Sequence, residues 1–198
     1  MTAPGIAAGE RTADILRATC RVVVRDGAHG LRMAGVAREA GISKALVHYY
    51  FATRQELLRA AFAFSSDLWD AAVAISLQQA STGAERVERY LLASVDPADP
   101  FGEHRALWNE VWSSLRVDSE LRPLVVDTYS DWLARLVSLI DEGRDDGSIS
   151  SEVDALGAGR RLAAVADGLE SVLYLGLAER SLARRLLRES LKRELREP

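Results

Sequence analysis

Apolar positions recur along this chain at spacings of three and four, and no long stretch alternates with the two-residue period of a strand. Ile15, Thr19 and Val23 repeat every four residues with Leu16 and Cys20 beside them, which predicts a helix over Glu10–Asp26. Gly27 ends it and Gly30 marks the next turn. From Leu31 to Leu58 the pattern tightens. Val36, Ala37 and Ala40 give a short helix one apolar face, and Gly41 stops it. Ser43 is placed to cap a second short helix, in which Val47 and Phe51 face inward. Lys44, Ala45, Leu46 and His48 then point outward, with Tyr49 and Tyr50 at the C-terminal end. This is the sequence form of a helix-turn-helix whose second helix can enter a DNA major groove.

Thr53 and Glu56 form a capping box that starts a long helix running to about Gln79. Its apolar set is Leu57, Leu58, Ala61, Phe62, Leu68, Trp69, Ala72 and Ile75. Ser81-Thr82-Gly83 breaks it. Further helices are predicted over 84–95, 103–116, 120–142, 152–176 and 181–196, with Ser119 or Asp118 as a cap and Pro123 in a first turn. Asp96 to Pro100 and Gly143 to Ser151 read as loops. The expected fold is all-α: an N-terminal three-helix helix-turn-helix DNA-binding head on a larger helical-bundle body for ligand binding and dimerisation. The predicted division is a flexible N-terminus over 1–9, the head over 10–52 and the body over 53–198.

Residues Arg11 to Phe62 resemble the DNA-binding domain of the TetR family of bacterial transcriptional regulators. The likeness rests on Val-Ala-x-x-Ala-Gly-Ile-Ser at Val36 to Ser43, Tyr-Tyr-Phe at Tyr49 to Phe51 and Arg-x-x-Leu-Leu at Arg54 to Leu58. It covers about a quarter of the chain. Members usually open the first short helix with Thr-Thr, where this chain has Arg32 and Met33. Arg32 is therefore a candidate to supply by charge the phosphate contact that a threonine hydroxyl would make. The resemblance implies that Tyr49 anchors a phosphate and that Arg54 stands where a backbone-binding lysine is common. It also implies a twofold dimer formed by the two C-terminal helices, about 152–177 and 181–196. The alternative is that both helices only close the protomer's own core.

Charge sharpens the division. The chain carries a net charge of −4, yet residues 1–55 hold eight Lys/Arg against four Asp/Glu while the remainder is acidic. A basic head on an acidic body suits phosphate binding at one end. No apolar run approaches the ~18 residues of a membrane span, and no secretion signal is evident at the N-terminus. The single cysteine, Cys20, fits a buried position in a reducing cytoplasm.

Recognition chemistry in the head divides into anchors and readers. The helix end behind Ser43 suits a phosphate, and Lys44 can reach phosphate or guanine. Ala45 can sense only thymine methyls or shape, and His48 can donate to a base or stand free on the surface. Tyr50 offers a hydroxyl or packs in the hinge. In the body, Trp69, His104, Trp108, Trp112, Tyr129, Trp132 and Asp167 are candidates to line a small-molecule pocket, against the alternative that the aromatics are ordinary core. Aromatic rings with carboxylates favour a cation. Ala164 to Leu169 (Ala-x-x-Asp-Gly-Leu) and Trp108 to Trp112 resemble the BetI-type branch of the family, whose regulators respond to betaine and choline.

Enzymatic motifs are missing: His29, His48 and His104 lack metal-ligand spacing, and there is no phosphate loop or nucleophile elbow. No cofactor or metal is expected. The reading is a homodimeric regulator, foremost a repressor released from a palindromic operator by an unknown effector. The rivals are a constitutive DNA-binding dimer and a helical interaction module that has lost DNA binding.

Overall fold

A computed structural model of the chain describes residues 4–95, 101–115 and 119–195. Among the described residues there are nine α-helices, one 3-10 turn and no strand. The helices are α1 (Pro4–Asp26), α2 (Met33–Glu39), α3 (Lys44–Tyr50), α4 (Arg54–Leu77), α5 (Gly83–Val95), α6 (Phe101–Ser114), α7 (Arg122–Asp145), α8 (Ala155–Tyr174) and α9 (Arg180–Leu195). The 3-10 turn, Ser119–Leu121, leads directly into α7.

Several predicted boundaries move. Helix α1 starts at Pro4, six residues before the expected Glu10 and inside the segment expected to be flexible, because proline is at home in a first helical turn. Helix α7 runs through Gly143, which the sequence placed in a loop. The expected Asp96–Pro100 loop, the Asp118 cap and Arg196 lie outside the described residues. By length and composition, α4 is long and apolar enough to cross a membrane, with a mean hydropathy of 1.2 over its best window. Charged Asp67 and Asp70 interrupt it, so it holds no unbroken apolar run. The signal is weak, because the buried positions Leu57, Leu58, Ala61, Phe62, Ser65, Trp69, Val73 and Leu77 recur every three to four residues, as on an amphipathic core helix. Leu68 and Ile75, expected in its apolar set, are exposed.

By packing, the chain divides into two compact units. The first holds residues up to Asp70 and Gly102–Val126; the second holds Ala71–Phe101 and Asp127 onward. The first unit is built around Ile15, Val22 and Val23 of α1, Val36 of α2, Val47 of α3 and Leu57, Leu58 and Phe62 of α4. Leu107 and Val111 of α6, Leu121 of the 3-10 turn and Val125 of α7 belong to the same core. Each buried polar group in it has a partner. Thr19 Oγ1 donates to the Ile15 carbonyl at 2.8 Å, and Cys20 lies with its sulfur 3.6 Å from the Ala61 carbonyl.

The second unit packs α5 against α8 and α9, and α8 against α9. Its buried set includes Val87, Leu91, Leu136, Leu139, Ile140, Leu162, Leu187 and Leu191. The start of α5 meets the end of α7 so closely that a Cβ at Gly83 would overlap the backbone of Gly143. Around that crossing the Gly83 amide donates to Asp146 at 2.7 Å and the Ala84 amide to Ser148 Oγ at 3.0 Å. Arg86 bridges to Glu142 at 3.0 Å. Gly83→Ala is expected to lower stability by about 2 kcal/mol, since neither backbone can yield. Thermal denaturation of the variant against the parent chain checks this.

Candidate nucleic-acid interface and effector site

The head is assembled by its turns. Gly41, at φ 66°, ends α2, and the Ile42 amide returns to the Ala37 carbonyl at 2.9 Å. Ser43 then caps α3, its hydroxyl accepting from the Leu46 amide at 3.1 Å. With Val47 and Phe51 buried, α3 can show only its other side. Lys44, Ala45 and His48 are exposed, and Tyr49 is 81% exposed. Leu46, expected outside, is half-buried. Tyr50 is half-buried against the head core and meets Tyr49 edge-on, with ring centroids 5.3 Å apart.

The two candidate arginines are engaged in the free chain. Arg32, the N-cap of α2, makes no side-chain cap bond. Its Nη1 donates instead to the carbonyls of His29 at 2.7 Å and Leu31 at 3.0 Å. Arg54 donates through Nη2 to the Ala28 carbonyl at 2.5 Å. Both guanidinium groups therefore grip the α1–α2 turn. Behind them, Thr53 Oγ1 accepts from the Glu56 amide at 3.0 Å, while Glu56 reaches back to the Ala52 amide at 2.8 Å. The capping box is thus present, with its return bond one residue earlier than the usual pattern. On the other side of the head, Glu39 accepts from Arg21 and Arg25, each at 2.8 Å, and those hydrogen bonds hold its carboxyl below the usual range.

The seven body candidates fall into two clusters, one in each unit. In the first unit Trp108 stacks on Phe62 at 5.4 Å and lies 5.7 Å from Trp112, which is 51% exposed. Trp69 stacks on His104 at 5.8 Å, and His104 Nδ1 lies 2.9 Å from the buried Ser65 hydroxyl. Burial pushes His104 down to about 4, against the opposing hydrogen bond from Ser65. It is a neutral imidazole at ordinary pH.

In the second unit Trp132 lies between Tyr90 and Tyr129, at 5.7 and 5.6 Å. Its Nε1 donates to Ser94 Oγ at 3.2 Å, and the Tyr90 hydroxyl donates to its carbonyl at 3.1 Å. The Tyr129 hydroxyl donates to Asp167 Oδ2 at 3.0 Å. Burial, then the nearby Asp167 charge, raises Tyr129 to about 12, and burial raises Asp167 above the usual carboxylate range. Tyr90 was missed from sequence. Among the described residues no three His, Cys, Asp or Glu side chains are grouped to hold a metal ion.

An exposed short helix held on a three-helix head defines a helix-turn-helix DNA-binding protein. Residues 15–61 match the model of the tetR family of bacterial regulatory proteins, and residues 83–196 match the C-terminal domain of BetI-type transcriptional repressors. The chain belongs to the TetR family of transcriptional regulators, in its BetI-type branch, a family of regulators and not of enzymes. A BetI regulator from Rhizobium meliloti (strain 1021) is 35% identical over 114 residues, 57% of this chain and 55% of the relative. One from Burkholderia thailandensis is 28% identical over 164 residues, 80% of this chain and 79% of the relative. The chain spans little more than half the length of the first curated relatives it matches. Among solved structures, a TetR-type protein from Rhodococcus sp. superposes with a TM-score of 0.83 at 26% identity, covering 94% of this chain and 99% of that one. A protein from Saccharomonospora viridis, in complex with choline, gives a TM-score of 0.83 at 24% identity, covering 93% and 96%.

His104 provides a pH test of the first cluster. Its folded value lies below the unfolded one, so the unfolded chain takes up the proton first as pH falls. Stability should therefore drop between pH 6.5 and about 4, by no more than about 3 kcal/mol, and that part of the loss should vanish in His104→Gln. Thermal midpoints of both proteins at pH 4.5 and 7 measure it.

Proposed function

We propose that the protein is a homodimeric operator-binding repressor of the bacterial cytoplasm that a small organic cation releases from DNA. The observation that carries the DNA half is α3 itself, capped by Ser43, pinned by Val47 and presenting Lys44, His48 and Tyr49 to solvent. One α3 per protomer enters a major groove of a near-palindromic site. Lys44 and Tyr49 anchor phosphates together with the amide end of α3, and His48 reaches a base edge or phosphate. Ala45 leaves little hydrogen-bonding readout, so the choice of site leans on DNA shape and deformability. Arg32 and Arg54 support the head from behind, through the carbonyls they hold, and can be drawn onto phosphates where DNA lies close.

The effector half is supported by the aromatic wall of Tyr90, Trp132 and Tyr129 beside the Asp167 carboxylate, an arrangement suited to a quaternary ammonium group. The choline held by the Saccharomonospora viridis protein is a ligand of that chemistry. Trp69, His104, Trp108 and Trp112 offer an apolar surface without charge, since His104 stays neutral. Release follows if the cation binds better to a conformer whose heads do not fit the operator.

The dimer half is supported by an apolar patch at the end of α8 and beyond it. Tyr174, Leu175 and Leu177 are 73%, 65% and 72% exposed, and Leu186 of α9 is also exposed. A second copy of this chain covers such a patch through the same two helices. The double substitution Leu175→Glu and Leu177→Glu is expected to give a monomer of 21.7 kDa by light scattering, with operator affinity lowered more than tenfold.

Fluorescence anisotropy on DNA flanking the protein's own coding sequence, at two salt concentrations, tests the operator reading. Lys44→Ala, which removes one phosphate contact from each protomer, should weaken binding at least tenfold and reduce the salt slope by about two. Tyr49→Phe should weaken it less, with the dimer intact in both. Unchanged affinity for both variants would remove these residues from the interface.

A further inference from the structure

We propose that Tyr129 gates the Asp167 carboxylate, so that a cation reaching Asp167 must displace the Tyr129 phenol and thereby unfastens α7 from α8. The inference rests on the cationic-effector reading above and adds to it a specificity residue and a route for the response.

The geometry begins with the way α7 and α8 cross. Gly159 of α8 admits Val137 of α7 so closely that a Cβ there would crowd the Val137 methyl at 2.9 Å, with Ile140 and Leu133 within 4 Å. This contact is apolar and tight. Tyr129 lies eight residues before Val137, and Asp167 eight residues after Gly159. In antiparallel helices both have moved about 12 Å the same way, so they meet again. They do so through a hydrogen bond of 3.0 Å. One contact is a packed fulcrum. The other is a polar fastening that a ligand can exchange.

The exchange favours a cation. In the free chain the carboxylate receives a neutral phenol, and burial keeps that phenol protonated. Opposite charge stabilises a buried carboxylate more than a neutral donor does. A neutral ligand of the same shape offers nothing to replace the phenol. The site therefore discriminates charge by what must be given up. Trp132 need not move in the exchange, because Ser94 and Tyr90 hold it independently of Tyr129.

The response follows from chain continuity. Helix α7 begins at Arg122 and carries Val125, buried in the core of the first unit, one turn before Tyr129. The Tyr129–Asp167 bond lies between that anchor and the Gly159 contact, at the start of the stretch of α7 that packs on α8. Loss of the bond loosens the first two turns of α7, which carry Val125.

The test uses the full chain with choline, tetramethylammonium and the neutral choline isostere 3,3-dimethylbutan-1-ol. Calorimetry should find that Tyr129→Phe binds choline about tenfold tighter than the parent, because no hydrogen bond to a charged group is lost on entry. Without choline, its operator affinity should be several-fold weaker, and choline should weaken it little further. Asp167→Asn should lose at least tenfold in choline affinity and the preference over the neutral isostere. If Tyr129→Phe does not fold, hydrogen exchange on the parent protein decides. Choline should speed exchange in 122–132 while 133–145 holds, and uniform protection of α7 would overturn the gate. A Tyr129→Phe protein with unchanged or weaker choline binding and a full response also overturns it, leaving the cation reading in place. A parent protein that binds neither choline nor tetramethylammonium overturns both.

Discussion

A seven-residue helix does not persist in water, so α3 exists only because Val47 and Phe51 are locked into the head's core. Everything proposed for DNA follows from that burial. It fixes which side of α3 meets solvent and at what angle. The surrounding devices serve the same end. Gly41 turns the chain, Ser43 satisfies an amide that α3 would leave bare, and Arg32 and Arg54 hold carbonyls of the α1–α2 turn. The exposed Lys44, His48 and Tyr49 are the residue types that contact phosphates and base edges.

The core that pins α3 extends beyond the head. Leu107, Val111, Leu121 and Val125 from α6, the 3-10 turn and α7 lie in the same cluster as Ile15 and Phe62. Arg59 of α4 reinforces the junction through the Glu120 carbonyl at 3.1 Å. A DNA-binding module whose core includes pieces of later helices cannot be indifferent to them. Helices α4 and α7 are both continuous across the division between the compact units.

Local rules made the head legible. Glycine at a left-handed turn, serine at a cap and valine four before phenylalanine are decided by neighbours in sequence, and each stands where the spacing put it. Long-range chemistry was less legible. Arg54 read as a phosphate anchor because nothing in the sequence shows the Ala28 carbonyl 26 residues away. Gly143 read as a loop because glycine usually ends helices, yet here it lets α5 approach the backbone of α7. Tyr90 was not singled out, and it is buried with Trp132 stacked on it as part of an aromatic wall. The body tryptophans were candidates to line a small-molecule pocket. Their partition between the two units is a tertiary fact with no sequence signal.

The central claim is that two copies of α3 read one DNA site as a rigid pair. Hydroxyl-radical footprinting of the protein on its operator tests this most directly. The account predicts two protected half-sites centred about one helical turn apart, roughly 34 Å, or a multiple of it, on one face of the duplex. Both should fade together when choline is added. A single protected half-site, or two that respond to choline independently, would contradict it.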